Sequence, residues 1–264
     1  AVGTELHRYA CAATLPSDGW PAAPVATKLA AEAITARQHE LLQKHGLLCL
    51  RVRPQTASVE GYFAWHTAPP DPLRADLRWY IDGSALDPAV AALTSTGFAV
   101  VVVTSDGCLV AYGAGAPPAF ITDSAGAEAW ALYVALREAA APPTILTDCL
   151  GLLRMAEKGS VRNTTAKSPL ARVWSILNDA ADEDLPSLVS QQLLDWMPAH
   201  QALTTATSRT TAAGKPVTPL DWRANRLVDH LARQAARLHA HCPTTSALVA
   251  SGKALAKHGA ALLG

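Results

Sequence analysis

Apolar residues recur at helical intervals over residues 25–44, where Leu29, Ala30, Ala33, Ile34, Leu41 and Leu42 share one stripe and Gly46 follows as a stop. One helix is expected there, followed by the apolar run 47–52. Polar residues and the string APPDP at 68–72 then read as a linker, so a boundary is expected near Pro72. Beyond it strands and helices alternate. The aromatic-rich run LRWYID (77–82), ended by Gly83, and the β-branched run TGFAVVVV (96–103) read as strands. The turn Ser105-Asp106-Gly107 joins the second to CLVAYGAG (108–115) as a hairpin.

A helix capped by Asp123 or Ser124 is expected to run to about Ala139, burying Ala127, Trp130, Ala131 and Val134 until Pro142 and Pro143 stop it. TILTD (144–148) reads as a fourth strand, with helices at 150–158 and 168–180 after it. Residues 187–197 have mixed periodicity; Pro186 and the short length favour a fifth strand. A polar, Thr-rich loop over 201–220 leads to a last helix opening at Asp221 or Trp222, with Ala224, Leu227, Val228, Leu231, Ala235 and Leu238 on its apolar face. The sum is an α/β fold, a mixed five-stranded sheet flanked by helices. Three regions are expected: 1–72 as an N-terminal accessory region, 73–240 as the α/β domain, and 241–264 as a tail without an assigned role.

Composition narrows the classes. Lys and Arg total 22 against 22 Asp and Glu, so no global field selects a partner. Cys11, Cys49, Cys108, Cys149 and Cys242 are odd in number and widely spaced, with no C-x-x-C pair, which argues for a reducing compartment. No run approaches membrane-spanning length and the start lacks signal-peptide character. An intracellular protein without a membrane partner is expected, nuclear or cytoplasmic. Ala1 in place of Met leads us to expect processing or excision from a longer polypeptide.

Four acids carry the candidate chemistry: Asp82 closing strand one, Glu128 in the first turn of a helix, Asp148 closing strand four and Asp229 on the last helix. Taken singly they are ordinary, as a turn residue, a first-turn acid, a cap and a solvated face residue. With strands one and four side by side, Asp82 and Asp148 emerge at one edge and the helical acids can converge on them. Packed carboxylates repel and resist desolvation, and a divalent cation removes that cost. Oxygen-only ligation suits Mg²⁺, with Mn²⁺ as substitute, and two such ions suit phosphodiester hydrolysis.

The strings WYIDGS (79–84), AEAWAL (127–132), LTDC (146–149), WMPAH (196–200) and ANRLVDHLA (224–232) occur in order on the expected elements. Over residues 77–240 they resemble type 1 ribonuclease H domains. The resemblance implies a ribonuclease H-like fold with strand two antiparallel, and gives Asp82, Glu128, Asp148 and Asp229 the places of four metal-binding acids. His200 matches a loop histidine associated with protonation or product release, and Asn225 stands four residues before Asp229 as in the family pattern. The implied reaction cuts the RNA strand of RNA/DNA hybrids. Such a site must sense the 2′-hydroxyl, and Gly83, Ser84 and Ser124 are the candidates, with Asn225, for contact with substrate.

The chain departs from the family in carrying Leu150 where many members have a polar residue, in a longer span from His200 to Asp229, and in having only Arg162 and Lys167 where some relatives insert a basic helix. Domains of this family often follow a reverse transcriptase, so a retroelement polyprotein with a polymerase partner is expected. GTELHRYACAA (3–13) faintly resembles a His/Cys element of some such proteins, through His7 and Cys11 only. The competing reading is a catalytically silent binding or connection module on the same fold. Four mutually repelling acids favour catalysis.

Overall fold

The computed structural model describes residues 60–70, 77–87, 93–182, 184–240, 243–247 and 249–250. The helix expected over 25–44, the apolar run 47–52, and His7 and Cys11 lie outside the described residues. One compact unit spans Thr56–Ala240. Of the second, residues 1–55 with 241–264, the parts described are 243–247 and 249–250, which are helical.

The first unit is built on a sheet in which, among the described residues, six strands run in the order β1-β4-β3-β2-β5-β6. They are β1 (Tyr62–Thr67), β2 (Arg78–Leu86), β3 (Ser95–Val103), β4 (Leu109–Ala116), β5 (Thr144–Thr147) and β6 (Leu194–Trp196). β2, β3, β4 and β1 pair antiparallel in succession, while β5 and β6 extend the sheet parallel to β2. The expected count of five is one short: β1 comes from the segment read as accessory, ahead of the boundary set near Pro72. Its signal was half hidden because its residues alternate between exposed and half-buried, with Phe63 and Trp65 on the covered face. There Phe63 stacks on Phe98 at 5.7 Å between ring centres and Trp65 meets Trp79 edge-on at 5.9 Å.

The helices are α1 (Ser124–Glu138), α2 (Leu150–Glu157), α3 (Ser160–Asn163), α4 (Ala171–Ala180), α5 (Leu185–Ser190), α6 (Leu203–Ala206) and α7 (Pro219–Leu238). Strand alternation divides the core between the two faces of the sheet. Trp79, Ile81, Phe98, Val100 and Val102 join Leu132, Trp174 and Leu177 on the side of α1 and α4. Tyr80, Ala99, Val101 and Val103 join Ala224, Val228 and Ala232 under α7.

The short helices α3 and α6 were not expected, and two others differ from expectation. Residues 187–197 are not one strand: α5 ends at Ser190 and the three-residue β6 follows. Asp184 caps α5 by accepting from the Ser187 N–H, and Pro186 sits in the first turn, where its missing N–H costs nothing. The last helix opens two residues early, because Thr218 and Asp221 form a capping box: the Asp221 N–H donates to Thr218 Oγ1 at 3.1 Å and the Thr218 N–H to Asp221 Oδ2 at 2.7 Å. Asp221 is buried and also accepts from Tyr80 Oη at 2.5 Å and the Arg78 guanidinium at 3.1 Å, which ties the start of α7 to β2.

Candidate metal centre

The Asp82-Gly83 pair, expected to end a strand, lies inside β2, which runs on to Leu86. The glycine is there for another reason. A Cβ at Gly83 would lie 2.2 Å from the backbone nitrogen of Glu128, so the strand touches the first turns of α1 with only a hydrogen between them. That contact delivers Glu128 to Asp82. α1 itself is fixed by Asp123, whose carboxylate accepts from the Gly126 N–H at 2.7 Å, the cap expected from sequence.

Because β5 lies beside β2 in parallel, with Ile81 opposite Thr147, the residue after β5 comes to the same end of the sheet. Asp82, Glu128 and Asp148 each present a carboxylate oxygen, and these oxygens lie within 4.8 Å of one another. Asp82 is 6% exposed and Glu128 5%. Asp148 is half-buried and does not cap α2, whose N-cap is Cys149 without a side-chain bond.

Neighbours orient the trio. Asn225 Nδ2 donates to Asp148 Oδ2 at 3.0 Å, and Trp196 Nε1 donates to the Asp148 carbonyl at 2.8 Å. Thr147 Oγ1 reaches Glu128 Oε2 at 3.5 Å while accepting from the Cys149 N–H at 3.0 Å. Asn225 is buried, and its Oδ1 has no partner. Thr147 and Trp196 lie within the strings LTDC and WMPAH but were given no role of their own; their contacts follow from the packing of β5 against α1 and β6.

The electrostatics are those of a crowded, dry group of acids. Burial raises the Asp82 carboxyl to about 7, the charges of Asp148 and Asp229 push the same way, and hydrogen bonds from Glu128 and the Gly83 N–H act against them. Glu128 is held well above the usual carboxylate range by burial first and by Asp82 next. Burial also raises the Cys149 thiol, which argues against a nucleophilic role.

Asp229 stands outside the trio, although its charge acts on Asp82. It lines a neighbouring cavity of about 310 Å³ together with His200, Gln201, Trp222, Asn225, Arg226 and Arg233. His200 is exposed on the loop after β6, with a left-handed backbone (φ 56°). The long loop expected over 201–220 holds α6 and an antiparallel bridge between Thr210 and Pro216, and Trp222 Nε1 donates to the Gln201 carbonyl at 2.9 Å to hold its start against α7. Thus Asp82, Glu128, Asp148 and Asn225 meet directly, whereas Asp229 and His200 share the adjoining cavity. Ser84 is half-buried in β2 opposite Gly97, and Ser124 is the exposed first residue of α1. Arg226 and Arg233 were not singled out from sequence; their three- and four-residue spacing from Asp229 on one helix was the available signal.

The donor set fits a hard divalent cation. Three carboxylates converge, two of them buried and raised toward the neutral form, so a bound cation would favour their ionised forms, and oxygen-only ligands match Mg²⁺ or Mn²⁺ chemistry.

No family model matches the sequence, and no curated protein does. Solved structures do. The solution structure of the RNase H domain of PFV, prototype foamy virus, is 18% identical, with 62% of this chain and 95% of that one covered and a TM-score of 0.39. The crystal structure of LC9 ribonuclease H1, a type 1 RNase H with the type 2 active-site motif, is 16% identical over 63% of this chain and 74% of that one, TM-score 0.41. The prototype foamy virus protease–reverse transcriptase is 17% identical, with 65% of this chain and 22% of that one covered, TM-score 0.42. The α/β architecture expected from the sequence, a mixed sheet flanked by helices, is the one observed. The strand read as the second in the sequence, β3, is antiparallel to both its neighbours as expected, and β1 is an added edge.

Proposed function

We propose that this chain is a metal-dependent endoribonuclease that hydrolyses the RNA strand of RNA/DNA hybrids. The observation that carries the reading is the convergence of Asp82, Glu128 and Asp148 within 4.8 Å, from a strand, a helix and a strand end, with Asp229 close enough to act on Asp82. Such a group has no value to a silent scaffold, for which buried, mutually repelling acids are a pure cost.

Asp82, Glu128, Asp148 and Asp229 would hold two divalent ions. When bound, these supply Lewis-acid stabilisation to the charge developing on the attacking and departing oxygens of the phosphodiester. Holding these ions would call for Asp82 and Glu128 in their ionised forms. The amide of Asn225 fixes the rotamer of Asp148. His200, at the wall of the adjoining cavity, donates a proton toward the departing 3′-oxygen or eases product release. The backbone at Gly83 and the hydroxyls of Ser84 and Ser124 are assigned to the RNA strand, whose 2′-hydroxyls separate it from DNA. In keeping with the sequence resemblance, we place the activity in a retroelement polyprotein beside a reverse transcriptase.

The test is cleavage of labelled RNA/DNA, RNA/RNA and DNA/DNA duplexes at low salt, with Mg²⁺ or Mn²⁺ and with chelator. Metal-dependent cutting of the hybrid alone, lost in Asp82→Asn and Asp148→Asn, is the expected result. Tight hybrid binding without cutting under any metal condition would overturn the catalytic reading in favour of a binding module.

A further inference from the structure

The fourth acid already has a cationic partner. Arg233 Nη2 lies 2.8 Å from Asp229 Oδ1, one helical turn along α7, and both side chains line the cavity beside the carboxylate trio. Arg226 lines the same cavity, yet its guanidinium lies 4.9 Å over the Trp222 ring and it has no ion pair with Asp229. The two arginines therefore differ in what they do: one is parked on an aromatic ring, the other on an acid.

Resting on the nuclease reading above, we propose that Arg233 is a resident counter-cation that occupies Asp229 until a divalent ion claims the carboxylate, and that its released guanidinium then turns to a backbone phosphate of the nucleic acid entering the cavity. The geometry suits an exchange. The side chain of Arg233 is 47% exposed and that of Asp229 23%, so the pair is held by one contact in partly wet surroundings and is weak enough to be displaced. The guanidinium is always charged and presents a planar fork of donors that fits a phosphate as well as a carboxylate. Asp229 stands outside the tight trio in the same arrangement, which is where a carboxylate engaged elsewhere is expected. Loading the site and freeing a phosphate ligand thus become one event. The binding of metal and of substrate is coupled through a single side chain, and by linkage each strengthens the other.

The coupling is read without catalysis by titrating the full chain with Mn²⁺ alone, using calorimetry. Arg233→Gln is expected to tighten the weaker Mn²⁺ step by about two- to fivefold, the worth of an exposed ion pair, with Arg233→Lys close to wild type. A general electrostatic effect would appear equally in Arg226→Gln, so equal tightening in the two glutamine variants overturns the proposal, as does no change in Arg233→Gln. With hybrid, Arg233→Gln is expected to raise KM several-fold while Arg233→Lys largely restores it, a split that mere loss of helix packing would not produce. Thermal melting of each variant checks folding. Wild-type protein that takes up no Mn²⁺ would defeat the nuclease reading, and this inference with it; wild-type uptake with an unaltered Arg233→Gln defeats the inference alone.

Discussion

Asp82 sits where its ionisation works against the fold. Its carboxyl titrates near 7 in the folded chain against 3.8 for the ordinary group. Between those values the folded state holds a proton that the unfolded state has lost, so metal-free stability is full at low pH and falls as pH rises from about 4 to about 7. The slope approaches about 1.4 kcal/mol per pH unit for one such group. Urea titrations in chelator should show this decline, Asp82→Asn should lessen it while the buried Glu128 carboxyl keeps a remainder, and saturating Mg²⁺ should reverse it by favouring the ionised forms. The second residue-scale expectation concerns Asn225. Its amide fixes Asp148, so Asn225→Ala should lower metal affinity or cleavage rate by about 10- to 100-fold, the usual range for a group behind a metal ligand, with little change in melting temperature. The meeting of Asp82, Glu128 and Asp148 was legible in the sequence because side-by-side strands one and four bring their ends to one edge, whereas Asp229 lies outside that trio. The contacts of Thr147 and Trp196 were not legible, because a common residue type becomes part of a site only through the packing of β5 against α1 and β6.

At the scale of elements, α7 shows what local pattern conveys and where it stops. Its apolar stripe was plain from spacing, yet its start was read at Asp221 or Trp222, since Pro219 ahead of it looks like loop. The Thr218–Asp221 capping box makes that proline the first residue of the helix instead. Thr218→Ala should therefore cost about 1 kcal/mol in denaturant unfolding, and loosen the Tyr80–Asp221 bond that docks α7 on β2. α5 illustrates the converse. Six residues from Leu185 to Ser190 carry too little periodicity to separate a short helix from a strand, and the cap at Asp184, which decides it, was not weighed. Gly83 was read as a turn glycine because Asp-Gly usually is one. Its true constraint is the backbone of α1 on the far side, a contact no local pattern encodes. Gly83→Ala should push α1 from β2, cost about 3 kcal/mol and separate Glu128 from Asp82, seen as a loss of both stability and Mn²⁺ binding.

For the whole molecule, the order of strands explains why distant acids meet: parallel pairing of β5 with β2 brings Asp148, 66 positions after Asp82 in the sequence, to the same end. It also explains why the domain begins earlier than composition suggested. β1 covers Phe98 and Trp79 with aromatic rings, and Trp65 Nε1 donates to Glu138 at 2.9 Å. A chain begun at Leu77 should thus be about 3 kcal/mol less stable in urea than one begun at Thr56, from the apolar area of Phe63 and Trp65 left uncovered. The alternation that hides β1 from a hydropathy reading is what an edge strand needs, with one side wet.

Gly97 mirrors Gly83 on the opposite face. A Cβ there would lie 2.2 Å from the nitrogen of Ala236, and its partner across the ladder, Ser84, is the neighbour of Gly83. The sheet is thus gripped between two helix backbones as in a vice whose jaws are one hydrogen apart from the strand. Breathing at that spot must displace both jaws together. Deuterium should accordingly enter the amides of residues 82–84 and 97–99 later than those of β5, placing slowly exchanging backbone directly beneath the buried carboxylates.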